Sequence, residues 1–426
     1  MLDMKWIRDN EAAVQRAAEL RGFRLSVREL IRADERKRGL LQTSEELRQT
    51  RNRLSQDIRL LAEAGRREEA ERLKRLVKDN NARLTAAEAE LTEAEREWET
   101  LMLALPNLVS PDTPVGLTEA DNQEVRRYSA PPAFEFEPLD HVALGTLHGL
   151  IDIPRGVKTA GTRNYYLTGM GVRLHRAVQQ LALDLLEAKG FALLEVPLMV
   201  RTEAMTNAGF FPLGQDQAYG IEGEDKWLVG TSEAPLISYY SGEIVDVATP
   251  LKLAAASTCF RSEVGSAGKD VHGLYRVHQF AKVEQVVLCE ADPDVSGRML
   301  EEITGNAEEL LRLLELPYRV VAVCAGDMSH KAYKQYDIET WMPSRQAYGE
   351  THSSSNLHDY QARRSQIRYR GPDGKLRHCH TLNNTAVASP RILIPLLENH
   401  QEEDGSVRIP QALRPYLNGM ERLAVR

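Results

Sequence analysis

Residues 260–284 read FRSEVGSAGKDVHGLYRVHQFAKVE, two strand-like ends around a middle of different texture. Gly265, Gly268 and Gly273, with Lys269 and Asp270 among them, mark a flexible loop, so the stretch predicts an antiparallel hairpin with a long connection. Side chains alternate between the two faces of a strand. Counting by twos from Leu274 puts Arg276, His278, Phe280, Lys282 and Glu284 on one face, and Tyr275, Val277, Val283 and Val287 on the other. The cation of Arg276, the ring of Phe280 and the carboxylate of Glu284 thus follow one another at steps of roughly 13 Å. That order suits an extended ligand carrying phosphates, a flat base and an amine. Arg261, on the outgoing strand, adds a second guanidinium whose planar fork meets phosphate oxygens two at a time. The alternative is a solvated strand face with alternating charges.

A second stretch, TLNNTAVASPRILIPLLEN at 381–399, weighs against that alternative. Pro390 suits a first helical position with Ser389 as N-cap, and the apolar run 392–397 continues the helix, which places Arg391 in the first turn. A cation there has the wrong sign for the helix dipole, so it answers to something else, such as a phosphate or an adenine ring. Together the two stretches resemble motifs 2 and 3 of class II aminoacyl-tRNA synthetases. The segments TSE at 231–233, RVHQFAKVEQ at 276–285, ETHSSSN at 350–356 and TLNNTA at 381–386 resemble the seryl-tRNA synthetase family of bacterial type, in order along essentially the whole chain. The resemblance implies an α/β (α+β) fold, an antiparallel class II sheet flanked by helices.

At 426 residues, with 27% charged and 42% hydrophobic, the chain has ordinary soluble composition and length for two to three domains. A formal charge of −8 argues against general adhesion to nucleic acid, DNA included, but leaves room for a local basic surface that binds RNA. The opening residues, MLDMKWIRDNEAAV, hold no apolar core of a signal sequence, and no run reaches membrane-spanning length, so a cytoplasmic location is expected. Cys259, Cys289, Cys324 and Cys379 lie too far apart for a zinc knuckle and read as small core residues.

Residues 26–105 carry a heptad pattern: Leu40, Leu47, Leu54 and Leu61, a break at Gly65, then Val77, Leu84, Leu91, Trp98 and Leu105, with Ala87, Ala94 and Leu101 between them. This predicts two long helices in an antiparallel coiled-coil arm, each of about 40 residues and roughly 60 Å. Around its turn the arm is basic, from Arg48, Arg51 and Arg53 to Lys74, Arg75, Lys78 and Arg83, which on its own describes a solvated helix surface. In this family the resemblance implies that the arm grips the long variable arm of tRNA(Ser), where phosphates and shape count for more than base edges. The expected domains are an N-terminal tRNA-binding domain with its arm at 1–105, a proline-rich linker at 106–124 and a catalytic domain at 125–426. Within the last, 175–189 reads as a helix and 191–200 as an edge strand interrupted by Pro197, resembling the motif 1 segment with which the family forms homodimers. The GMG at 169–171 reads as a turn.

What the resemblance implies for the site follows residue by residue. Thr231, Ser232 and Glu233 would line the serine site, although TSE by itself is also a common helix start. Arg261 would hold the α-phosphate and the serine carboxylate, and Arg276 the distal phosphates. Phe280 and Arg391 would hold the two faces of adenine, with Ser262, Glu263 and Val277 beside them. Glu284 would take the serine amine and hydroxyl, and Asn383 and Thr385 would close the hydroxyl pocket. Glu350 and Ser353 would hold a Mg2+ ion bridging the ATP phosphates, a site with few protein oxygens of the kind magnesium prefers, with Thr351 and His352 adjacent. Gln361, Arg363 and Arg364 would lie on an adjoining element of the sheet. Ala281 and the NNTAVASPR segment depart from the commonest bacterial pattern without touching a ligand position, whereas AGFFP at 208–212 departs from the usual loop over the serine site. The implied activity is that of an ATP-dependent, AMP-forming serine–tRNA ligase, with the tRNA for selenocysteine as a compatible second acceptor. Two rivals are an enzyme that loads serine on a carrier protein, which has no use for the arm, and a regulator that has kept only the fold, which has no use for the two motif arginines.

Overall fold

The computed structural model describes residues 1–265 and 272–425; Gly268, Lys269 and Asp270, which the sequence assigns to the hairpin loop, lie outside the described residues. Two compact units emerge, one of Leu2–Glu19 and Phe23–Pro106, the other of Met1–Met1, Leu20–Gly22 and Asn107–Arg426.

The first unit is helical. Its two long helices, Val27–Glu63 and Arg67–Ala104, are joined by three residues, of which Gly65 takes φ +75°, a left-handed conformation glycine adopts freely. Ser26 caps the first helix by accepting from the backbone N–H of Glu29 at 3.4 Å. The heptad positions meet as the pattern requires: Leu47 packs with Leu84 and Ala87, Leu91 and Ala94 are buried beyond them, and the buried Asn80 side chain donates to the Leu47 carbonyl at 3.0 Å. Near the turn, Arg48, Arg59, Arg66 and Lys74 are paired with glutamates. Arg51, Arg53, Arg67, Arg72, Arg75, Lys78 and Arg83 make no ion pair among the described residues.

The second unit is built on an eight-stranded sheet. In spatial order its strands are Gln123–Tyr128, Tyr318–Ala322, Lys334–Met342, Ala347–Asn356, His380–Ser389, Gln279–Cys289, Leu251–Phe260 and Ala192–Leu193, antiparallel except for the last pairing. Val283, Val287 and Cys289 of the returning hairpin strand face a core shared with the helices Met170–Ala188, Pro293–Leu313 and Leu393–Asn399. On the opposite face, beyond Phe280, Lys282 and Glu284, the same strand sends Val286 and Leu288 into a second core with Leu236, Ile237 and Ala362. A satisfied polar network ties sheet to helix: Gln285 donates to the Ile303 carbonyl at 2.9 Å and to Asn384 at 2.6 Å, and accepts from Asn306 at 3.0 Å. All four cysteines are buried and free. No helix among the described residues is long and apolar enough to cross a membrane.

Several expectations are corrected. The returning strand starts at Gln279, not Leu274, because 272–278 has no ladder partner; Tyr275 and Val277 are released from strict alternation, and His278 turns its ring to the Tyr219 hydroxyl. The segment 191–200 is two short strands, Ala192–Leu193 and Met199–Val200, in different sheets on either side of Pro197, which cannot donate to a ladder. Ser389 ends a strand instead of capping a helix, and the helix begins at Leu393, so Arg391 stands in the connecting turn. Gly171 belongs to the helix Met170–Ala188, where a Cβ would lie 2.4 Å from the Leu150 carbonyl oxygen. Gln361, Arg363 and Arg364 occupy a short helix, Tyr360–Ser365, not a sheet strand.

The core placement predicts a stability difference within one helix. Leu310 is fully buried on Pro293–Leu313, so Leu310→Ala should cost about 2–5 kcal/mol. Arg298→Ala, on its exposed face, should stay within about 0.5 kcal/mol. Urea unfolding of the two variants checks the contrast, and equal midpoints would contradict the assigned packing.

Candidate active site

A cavity of about 210 Å³ opens on the sheet face away from the large core, and every residue lining it belongs to the second unit. Its floor is the middle of the strands Gln279–Cys289 and His380–Ser389, where Glu284 stands opposite Thr385. Of the expected site residues, all but Ser232 and Ser262 line it. Ser232 is fully buried and shares a hydrogen bond with the Ser257 hydroxyl at 2.6 Å, while Ser262 donates to the Asp216 carbonyl at 2.6 Å.

Two buried acids form the deep end. Thr231 holds the loop by accepting from the Glu233 backbone N–H at 3.2 Å, so the threonine hydroxyl, not that of Ser232, fixes the first turn of the helix Glu233–Ser238. One oxygen of Glu233, Oε1, accepts from Lys331 Nζ at 2.6 Å, Gln361 Nε2 at 2.6 Å and Asn383 Nδ2 at 2.7 Å. The other, Oε2, accepts nothing among the described residues and belongs to a side chain lining the cavity. Glu284 pairs through Oε2 with Lys282 Nζ at 2.7 Å, with the Thr385 hydroxyl 3.5 Å away. Burial pushes the Glu284 carboxyl above the ordinary carboxylate range against the pull of Lys282, and burial pushes the Lys331 ammonium down against the pull of Glu233. A small polar molecule with an ammonium and a hydroxyl finds one committed carboxylate for each.

The open end is cationic. Arg261 lies with its guanidinium carbon 5.4 Å from the Phe280 ring centroid, and its Nε reaches the Gly230 carbonyl at 3.4 Å. Arg276 reaches Glu263 at 3.4 Å, whose backbone takes φ +51° and whose carbonyl accepts from Arg163 at 2.7 Å. Arg391 donates to the carbonyls of Tyr275 at 3.0 Å and Glu350 at 3.2 Å and lies over the Tyr275 ring at 4.4 Å. Three guanidiniums held around one wall, with two aromatic faces, can grip an extended polyphosphate and a base.

Glu350 and Ser353 stand on the strand Ala347–Asn356, beside Asp337 of the neighbouring strand, which is registered with Ser353. Gln335 Nε2 bridges Asp337 at 3.0 Å and the Ser353 hydroxyl at 3.2 Å. Burial, and then the charge of Glu350, push the Asp337 carboxyl up to about 8. Glu350 and Ser353 offer hard oxygens, the donor type that magnesium takes, with Arg391 3.8 Å from the Glu350 carboxylate. Thr351 hydrogen-bonds Thr340 at 2.6 Å and His352 at 2.8 Å, and burial holds the His352 imidazole at about 3, hence neutral.

Sequence reasoning missed Lys331, Gln335 and Asp337, which belong to no motif, and it singled out the loop of Phe210 without giving that residue a role. Lys331 Nζ also stands 3.7 Å from the Phe210 ring centroid, which puts the atypical AGFFP loop directly on the acid pair. The one local hint was an apolar loop in a polar site.

Known proteins resemble this chain along its whole length. A family model described as the seryl-tRNA synthetase N-terminal domain matches residues 1–109, and one described as the tRNA synthetase class II core domain (G, H, P, S and T) matches residues 219–400. The chain is 46% identical over 424 residues to the serine–tRNA ligase of Deinococcus radiodurans, covering 99% of each, and 42% identical to that of Rubrobacter xylanophilus, covering 98% of each. Among solved structures, seryl-tRNA synthetase from Pyrococcus horikoshii complexed with ATP superposes with a TM-score of 0.89 at 37% identity, covering 100% of both chains. Prolyl-tRNA synthetase of Giardia lamblia, at 16% identity, 64% of this chain, 55% of its own and TM-score 0.56, shares the fold alone. With its paired acids, its cationic wall and full-length relatives of this closeness, the chain belongs to the seryl-tRNA synthetase family.

Proposed function

We propose that the chain is a serine–tRNA ligase that joins L-serine to ATP as seryl-adenylate, releasing pyrophosphate, and then transfers serine to the 3′ end of tRNA(Ser). The observation that carries this reading is the pair of buried carboxylates, Glu233 and Glu284, facing three guanidiniums across one cavity. Glu233 Oε2 takes the serine ammonium, and Glu284 with Thr385 takes its hydroxyl. Glu284 takes a share of the amine as well. The serine carboxylate is itself the nucleophile on the α-phosphorus, so no side chain forms a covalent intermediate. The protein contributes position and charge. Arg261 faces the α-phosphate and the carboxylate, where charge develops in the transition state; Arg276 faces the distal phosphates; Phe280 and Arg391 hold the adenine. Glu350 and Ser353 would hold magnesium, which neutralises the phosphate oxygens. The arm binds the tRNA through its unpaired cations, the motif 1 segment joins two chains as a homodimer, and the enzyme works in the cytoplasm, where its tRNA is.

Thr385 refuses threonine by rigidity. It sits within the strand His380–Ser389, held in the ladder opposite Glu284, and a ladder residue makes a stiff wall. Alanine is refused because it leaves buried acceptors unpaired, a difference worth factors on the order of 10⁴.

Pyrophosphate exchange with serine tests the first half-reaction and aminoacylation of tRNA(Ser) the second. Removing residues 40–101 and rejoining the helices should leave exchange intact and abolish charging, because the arm unit supplies no residue to the cavity; a truncated enzyme that charges tRNA normally would remove the arm from RNA binding. For Arg261→Ala, kcat in exchange should fall by about 3 kcal/mol of lost transition-state stabilisation, whereas Phe280→Ala should mainly raise KM for ATP. An Arg261 variant with raised KM and normal kcat would contradict its role. Comparing kcat/KM for serine, alanine and threonine completes the set. Glu284→Gln should depress serine activation severely, and Thr385→Ala should relax exclusion of threonine more than of alanine.

A further inference from the structure

Glu398 is fully buried near the end of the helix Leu393–Asn399, and no lysine or arginine pairs with it among the described residues. Its carboxylate is met by hydrogen bonds alone. Oε1 accepts from the His141 backbone N–H at 3.0 Å, from His141 Nδ1 at 2.9 Å and from the Ser344 hydroxyl at 2.9 Å, and Oε2 accepts from the Ser344 N–H at 3.0 Å. His141 is itself buried and opens the helix His141–Leu147. The residues before it are pinned independently, Leu139 by two bonds with the Gln401 amide and Asp140 by accepting from the Ala143 N–H. The far nitrogen of the His141 ring points elsewhere: Nε2 accepts from the backbone N–H of Leu274 at 3.2 Å. A backbone N–H can only donate, so Nε2 is the bare nitrogen and the ring proton sits on Nδ1, facing Glu398. The chemistry assigned to the cavity makes no use of this buried pair.

Leu274 lies on the returning limb of the hairpin, ahead of Gln279, where no ladder holds the chain. Even so, Leu274, Tyr275 and Arg276 all line the cavity. Tyr275 is the piece on which two arginines rest. Its carbonyl accepts from Arg391 Nε at 3.0 Å, its ring centroid is 4.4 Å from the Arg391 guanidinium and 4.1 Å from that of Arg345, and its hydroxyl donates to the Glu350 carbonyl at 3.3 Å. Arg345 follows Ser344, so Glu398 fixes both approaches to that ring, one through His141 and one through Ser344. Gly273 shows how closely the limb lies on the imidazole: its φ is +67°, and a Cβ there would stand 2.1 Å from His141 Nε2. We propose that the Glu398–His141 pair is a positioning device for the nucleotide. It sets the backbone of Leu274 and, through Tyr275, the place of Arg391 on adenine and of Arg276 on the distal phosphates. A reacting group displaced by about 1 Å can cost on the order of 10²-fold in rate, so a limb with no ladder of its own needs such a hold. The serine end is supported separately, Glu233 by Lys331, Gln361 and Asn383, and Glu284 by Lys282. The pair therefore acts on ATP and not on serine. The proposal rests on the serine–tRNA ligase reading for the roles of the two arginines.

Two substitutions separate the two nitrogens of the ring. The amide of His141→Asn takes the place of Nδ1, keeping a donor on Glu398 without reaching Leu274, whereas that of His141→Gln takes the place of Nε2 and offers its oxygen to the Leu274 N–H. In pyrophosphate exchange, His141→Asn should raise KM for ATP and for pyrophosphate by about 10-fold and lower kcat/KM for ATP by about 10- to 100-fold, with KM for serine within about twofold of the unmodified enzyme. His141→Gln should restore most of that loss. Gly273→Ala leaves the pair intact and pushes the limb off it, and it should show the same defect, selective for ATP. Unchanged KM for ATP in His141→Asn would overturn the proposal. So would equal losses in His141→Asn and His141→Gln, or a KM for serine that rises in step with that for ATP, since these mark a histidine that only supports the fold. Should His141→Asn fail to fold, Gly273→Ala decides, and a normal KM for ATP there overturns the proposal. Equilibrium binding of ATP without serine should follow the same order of variants. Absence of serine-dependent exchange in the unmodified enzyme would thus remove the ligase reading, while the ATP affinities would still decide the role of the pair.

Discussion

A carboxylate cannot be taken out of water alone. Glu233 and Glu284 are both almost wholly buried, and each survives because a lysine, Lys331 or Lys282, is buried with it at hydrogen-bond distance. Such pairs add little net stability, since desolvation consumes most of the attraction. What they supply is position: with Oε1 of Glu233 held by three donors, the direction in which Oε2 faces is set before any ligand arrives. The donors come from a turn (Lys331), a short helix (Gln361) and a sheet strand (Asn383), so the site exists only when all three are in place. The central strands of the eight-stranded sheet hold Glu284, Asn383 and Thr385 in fixed register, and the turn of Lys331 and the helix of Gln361 bring their donors to the acid beside them.

What the sequence made legible was local. The heptads of the arm read correctly because each seam position is decided by neighbours three and four residues away, and Gly65 marked the turn by its own conformational freedom. The hairpin strand read correctly from Gln279 onward, where one ladder and then, from Ala281, two hold it, and incorrectly before Gln279, where neither does. Ser-Pro before an apolar run is a helix signal and predicts a helix start at Arg391; the chain uses the same residues to leave a strand and turn, and the helix waits until Leu393. Most of the site residues were legible only through family resemblance, and Lys331 was not legible at all. Nothing around residue 331 says that an acid nearly a hundred residues earlier needs a partner.

Charge is divided in the same way between the units. The chain is acidic overall, yet seven arm cations near the turn stand without an ion pair among the described residues, while the acids of that helix pair cluster further along, from Glu88 to Glu99. Free cations on a stiff scaffold make a sensible contact for phosphates because little side-chain pairing must be broken first, and the attraction is screened by salt as any surface charge is. In the cavity the logic is opposite: each arginine is already engaged by backbone carbonyls, carboxylates or rings, and its orientation is therefore determined.

That difference bears on how one site could serve two successive reactions. The acyl group of an adenylate must be approached first by phosphate chemistry and then by a hydroxyl, from different sides, without the acyl group moving. Thr231 and Arg261 lie on one wall of the cavity, and both are held by the loop that also places Glu233. In the proposed reading the acid pair takes the amine and hydroxyl of serine at the far end, which leaves the carbonyl carbon little freedom, and the wall that meets its charge in one step is in place for the next. Preorganisation achieved at the cost of burying two ion pairs thus counts twice, since neither half-reaction has to reorganise the charges that the other one uses.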